Sequence, residues 1–228
     1  MPQSSQVKSK QRVAAHGEVF TAEREVKAMC DLVADECNRI DSRFLEPACG
    51  EGAFLAEILT RKLAACQNKY GTPLLRPDYE RASVNAIMSI YGVELLPDNA
   101  ETCRKRLFGI WNKAYGANCG QPVNDTCREV VKYILAKNIL CGDALTMKQG
   151  NGQPIIFVEW SFIDGSLVKR RDFRLDQLIG ANEMAQKGQI PLGVAGVGYD
   201  EQKHEFIPLP VKEYSPIDYR RLCEHGQS

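Results

Sequence analysis

Three short apolar runs in this chain end on polar residues of types that hold ligands. The first is Glu46-Pro47-Ala48-Cys49-Gly50-Glu51-Gly52-Ala53-Phe54, which follows the apolar pair Phe44-Leu45. Gly50 and Gly52 let backbone approach a ligand closely, and a helix start just beyond them offers free amide donors. The second end is Gly92-Val93-Glu94, where an acid closing a strand can accept both hydroxyls of a ribose. The third is Cys141-Gly142-Asp143-Ala144-Leu145. Each acid alone reads equally as a helix cap or a solvated turn, but three in this order point to one shared site. Position 55 is Leu55, so the third glycine of a dinucleotide loop is missing, and a nicotinamide dinucleotide is disfavoured.

The elements that must position these ends alternate along the chain. Thr21 offers a helix N-cap, followed at helical spacing by Val26, Met29, Cys30, Val33 and Cys37. A strand over 43–46 stops at Pro47, and Phe54, Leu55, Ile58, Leu59, Leu63 and Cys66 mark an amphipathic helix. Residues 67–82, with Gly71, Pro73 and Pro77, read as a loop or insertion. A strand over 87–95 leads to a helix opened by Pro97 or Asp98, a break over 116–124, a helix through Val130–Leu135 and a strand over 138–141. Three strand–helix alternations predict a parallel α/β sheet with helices on both faces, over residues 13–147. Residues 1–12 read as a flexible tail. Residues 148–228 read as a β-rich C-terminal extension, with a hairpin over 155–163 and 167–173 turning at Asp164-Gly165.

Composition narrows the class. The 228 residues are 44% hydrophobic and 25% charged, ordinary for a globular chain, which excludes a disordered chain, a collagen-like fibre and a small disulfide scaffold. Lys plus Arg is 29 and Asp plus Glu is 29, so any grip on nucleic acid must be local. Nine cysteines without a CxxC pair, and only three histidines, argue for reduced buried thiols over a zinc site. No signal-peptide pattern and no apolar run of ~18 residues is present, so the expectation is a soluble cytoplasmic protein without a membrane contact.

In order, His16-Gly17-Glu18-Val19-Phe20-Thr21, the 46–54 run, Tyr91-Gly92-Val93-Glu94 and Gly142-Asp143-Ala144-Leu145 resemble the cofactor motifs of DNA adenine-N6 methyltransferases of restriction–modification systems. The resemblance covers residues 13–147. It implies a class I S-adenosylmethionine-dependent, Rossmann-like domain. Phe20 and Thr21 would then meet the methionine end of S-adenosylmethionine, and Glu46 its amino group. Pro47, Ala48, Cys49, Gly50 and Gly52 would form the turn beneath it. Glu94, with Leu95 beside it, would hold the ribose, and Asp143 the adenine amino group, with Ala144 or Leu145 against the ring.

One departure weighs against catalysis. Members that methylate carry Asn, Asp or Ser before Pro-Pro-aromatic, and none of the eleven prolines here is adjacent to another. The nearest string is Ser215-Pro216-Ile217-Asp218-Tyr219. Without that loop the target base has no carbonyl grip or stacking partner. Lys169, Arg170, Arg171 and Arg174, interleaved with aromatics, are the candidate nucleic-acid contact. Three readings follow. One is a methyltransferase relative that takes its catalytic loop from an unusual segment or a second subunit. Another is a non-catalytic cofactor- or DNA-binding partner subunit of a restriction or antirestriction system. The third is a methyltransferase acting on something other than DNA.

Overall fold

The computed structural model describes residues 21–120, 125–179, 197–200 and 205–226. The first helix, α1, spans Glu23–Asp31. Its N-cap is Ala22 and not Thr21, and no side chain caps it; Glu23 and Glu25 in the first turn favour the positive helix end instead. Val26 and Cys30 point inward, and a short helix α2, Ala34–Asn38, buries Cys37. Strand β1, Phe44–Glu46, then gives way to α3, Ala53–Tyr70. Leu55, Ile58, Leu59, Leu63 and Cys66 form its buried stripe, at the expected helical spacing.

Residues 67–82 are mostly helical, which corrects the expected loop. Helix α3 runs on to Tyr70, with Gly71 as its C-cap. Pro73 opens a 3₁₀ turn over Pro73–Leu75, and Pro77 sits in the first turn of α4, Arg76–Met88. Proline is tolerated in a first turn because that amide has no intrahelical partner, so these prolines mark starts. Because α4 continues through Met88, strand β2 is confined to Ile90–Glu94. Helix α5 spans Pro97–Cys119, running through Gly116 into the expected break, and α6 spans Asp125–Asn138 before β3, Ile139–Cys141.

The three strands form one parallel sheet in the order β1-β2-β3. Glu46 lies opposite Gly92, and Glu94 opposite Cys141, so all three polar strand ends fall along one edge of the sheet. Flanked by helices, the sheet is consistent with a Rossmann-like α/β fold. On one face Gly92 lies under Cys49 and Leu55. On the other, Tyr91 meets Phe157 edge-on at 5.8 Å, so a β-hairpin contributes where helices alone were expected.

That hairpin pairs β4, Ile156–Asp164, with β5, Leu167–Arg174. Its two-residue loop is Gly165-Ser166, one position later than the sequence suggests, with Gly165 at φ 49°. Strands β6 (Val197–Asp200) and β7 (Glu205–Pro208) pair with each other. Strands β8 (Lys212–Glu213) and β9 (Ile217–Asp218) both pair with β5, and a 3₁₀ segment over Tyr219–Gly226 follows. Leu55 and Ile87 belong to the same hydrophobic cluster as Trp160, Tyr219 and Leu222, so the extension shares the core of the parallel domain. Asn138 joins the two: its Nδ2 donates to Ile90 O at 3.0 Å, and its Oδ1 accepts from Trp160 Nε1 at 2.8 Å. Among the described residues no helix is long and apolar enough to cross a membrane.

Candidate functional site

The backbone at the end of β1 folds into a tight loop tied to the sheet. Cys49 N–H donates to Val93 O at 3.0 Å, and Gly52 N–H turns back to Cys49 O at 2.7 Å. Gly50 N–H donates to Glu94 Oε2 at 2.9 Å, so the acid closing β2 holds the glycine loop in place. The other oxygen of Glu94 accepts from Leu96 N–H at 3.0 Å and from Asn99 Nδ2 at 3.3 Å. Gly142 N–H donates to Glu94 O, which brings the third strand end to the same edge.

The two glycines do different work. Gly50 has φ +52° and open space where a Cβ would stand, and it lines a cleft. Gly52 has φ +78°, and a Cβ there would lie 2.5 Å from Cys103 Sγ on α5. Packing against α5 and the left-handed backbone are by themselves enough to require glycine at 52. Beneath the loop, the Cys49 thiol is raised by hydrogen bonding to Cys103 and by burial, which keeps it protonated.

The cleft has a volume of about 620 Å³ and opens over the C-terminal end of β1, where ligands collect in parallel sheets. Thr21, Glu46, Ala48, Cys49 and Gly50 line it, together with residues that sequence reasoning did not single out, above all Glu57, Thr60 and Arg106. Arg106 carries no motif around it; only its helical spacing from Cys103, one turn earlier on α5, marks it in the sequence. Pro47, Gly52, Glu94, Leu95, Asp143 and Ala144 stand outside the lining. Phe20, with the 16–19 stretch, lies outside the described residues.

Charge in the cleft is unevenly neutralised. Glu57 pairs with Arg61 at 2.8 Å and Glu23 with Lys27 at 2.6 Å. Among the described residues no cation pairs with Glu46: burial raises its pKa above the ordinary value, offset in part by the Ala48 amide. Asp143 behaves differently. Its carboxylate accepts from Leu145 N–H at 2.8 Å and Thr146 Oγ1 at 3.0 Å, which lowers its pKa and makes it the cap of its own turn. Leu95 and Leu145 are exposed apolar side chains beyond β2 and β3.

The basic cluster does not form an open patch. Strand alternation turns Arg170 inward, where it is 3% exposed. Both its Nε and Nη2 bond Asp172, its Nη1 donates to Tyr133 Oη at 2.6 Å, and the Tyr214 ring lies 4.2 Å away. Arg170 is thus a core group and is withdrawn from the expected nucleic-acid set. Lys169 pairs with Glu213, Arg171 with Glu159 and Arg174 with Asp176. Ser215–Tyr219 is also no loop at the cleft, since Tyr219 is buried and donates to Glu80 Oε1 at 2.6 Å. No family model, no curated protein and no solved structure matches the chain.

Proposed function

We propose that this chain binds S-adenosylmethionine in the cleft over β1, as a relative of DNA adenine-N6 methyltransferases that lacks a catalytic loop of its own. The observation that carries this reading is the loop over residues 46–52. It joins a half-buried, unneutralised carboxylate to bare glycine backbone at the end of a parallel sheet, with its amide held by the acid that ends the next strand. A bound S-adenosylmethionine supplies an electrophilic methyl on a sulfonium. The chain's own part is to hold it: Glu46 would take the ammonium, and Ala48–Gly50 would lie against the cofactor. A carboxylate offers about four acceptor positions. Glu94 already serves three donors, so it has room for one ribose hydroxyl rather than two. Asp143 serves two and keeps capacity for an adenine amino group, beside exposed Leu145.

The reading as a non-catalytic or split subunit is favoured by one observation: Tyr219, the only aromatic of the Ser215–Tyr219 string, is committed to Glu80 in the core. A second polypeptide would then supply the loop that grips the flipped base. DNA contact by this chain alone would rest on Lys169, Arg171 and Arg174, be weak, and fade steeply with salt. Nine free thiols suit a reducing compartment such as the cytoplasm.

Titration calorimetry tests the cofactor. S-adenosylmethionine should bind at micromolar level and NAD should not. Glu94→Ala removes a charged acceptor worth about 1.5–3 kcal/mol, so affinity should fall roughly 10- to 100-fold. Unchanged affinity in a folded Glu94→Ala protein overturns the assignment. With unmethylated DNA, the chain alone should give no multiple-turnover N6-methyladenine; sustained turnover would remove the incomplete-enzyme reading.

A further inference from the structure

Among the described residues, the cleft contains two charges of opposite sign that the protein does not neutralise. Glu46 has no cation within ion-pair distance. Arg106 projects from α5 into the same cleft, exposed, with no hydrogen bond or ion pair to any described residue. This contrasts with the other arginines near the loop: Arg61 is held by Glu57 and Asp31, and Arg104 donates to Ile139 O. The two cleft charges are also not a pair, since no Glu46–Arg106 bridge forms within 4.0 Å. A carboxylate and a guanidinium that line one cleft without pairing match a ligand whose own charges are separated, such as the ammonium and carboxylate of an α-amino acid.

We propose that Arg106 is the specificity-determining residue for the amino-acid end of the ligand: its guanidinium receives the carboxylate while Glu46 receives the ammonium. The proposal rests on the cofactor reading above. It adds a discrimination that reading does not contain, between ligands that keep the α-carboxylate and ligands that have lost it. The fork of Arg106 suits a bidentate carboxylate, and a lysine there would supply the charge without the second bond.

The test compares S-adenosylmethionine with decarboxylated S-adenosylmethionine, by calorimetry, on the full chain. Arg106→Gln should weaken S-adenosylmethionine about tenfold and leave the decarboxylated ligand's affinity unchanged. Arg106→Lys should restore part of the loss. Because Arg106 is exposed, both variants should melt with the wild type, which the same samples verify. Equal weakening of both ligands, or of neither, overturns the role of Arg106 while the cofactor reading stands. A wild-type chain that binds neither ligand overturns the cofactor reading and this proposal with it.

Discussion

Glu46 ends β1 as a half-buried carboxylate whose only partner among the described residues is the Ala48 amide, and burial raises its pKa above the ordinary 4.5. A raised acid means the folded state binds more protons than the unfolded one. Ionised Glu46 therefore costs stability at neutral pH, and the cost disappears as the pH falls below about 4.5, where both states are protonated. Glu46→Gln keeps the shape and an acceptor for Ala48 while removing the charge. In the ligand-free protein it should raise the melting temperature at pH 7, with the gap to wild type closing as pH is lowered through the carboxylate range. The same variant should bind S-adenosylmethionine more weakly. A melting temperature unchanged at pH 7 would mean that Glu46 is solvated. The sequence displayed this residue through its place before Pro47-Ala48 and the glycines. What it hid was the division of labour between Gly50 and Gly52, since the Cys103 contact comes from a helix some fifty residues away.

At the scale of elements, Glu80 on α4 gathers the C-terminal segment. It accepts from Tyr115 Oη on α5 at 2.5 Å, and from Tyr219 Oη at 2.6 Å and Arg220 Nε at 2.9 Å in the final 3₁₀ segment. A buried carboxylate needs such donors, and losing one leaves a charge less well solvated. Tyr219→Phe should cost about 1–2 kcal/mol, or a fall of several degrees in melting temperature for a chain of this size. Cofactor affinity should not change. An unchanged melting temperature would mean that the bond from Tyr219 to Glu80 does not hold the C-terminal segment. Helix α4 was illegible in the sequence because Pro73 and Pro77 read as breakers, when each occupies a first turn. The inward turn of Arg170 was legible in principle: on a strand, Arg170 and Asp172 share a face, opposite Arg171.

For the whole molecule, the boundary near residue 147 separates two sequence patterns but not two cores. Strand–helix alternation does stop there, which made the parallel sheet and the hairpin readable as separate units. Periodicity is local, however, and cannot show that Phe157 covers Tyr91, or that Trp160 bonds the Asn138 that also ties down Ile90. Those contacts place extension residues Phe157, Val158, Trp160, Val168, Tyr219 and Leu222 in the same buried cluster as the sheet. Cutting the chain after Met147 would uncover Tyr91 and leave Asn138 and Glu80 without Trp160, Tyr219 and Arg220. Large apolar side chains removed from a core cost several kcal/mol each, against a total stability of about 5–15 kcal/mol. A 1–147 fragment should therefore show no cooperative thermal transition, bind a hydrophobic dye and fail to bind S-adenosylmethionine, although every cleft-lining residue is present in it. Adding the 148–228 piece in trans, or restoring the full chain, should return a single transition. A fragment that melts cooperatively by itself, with full-length cofactor affinity, would show that the cleft needs only the parallel sheet and that the hairpin serves something else.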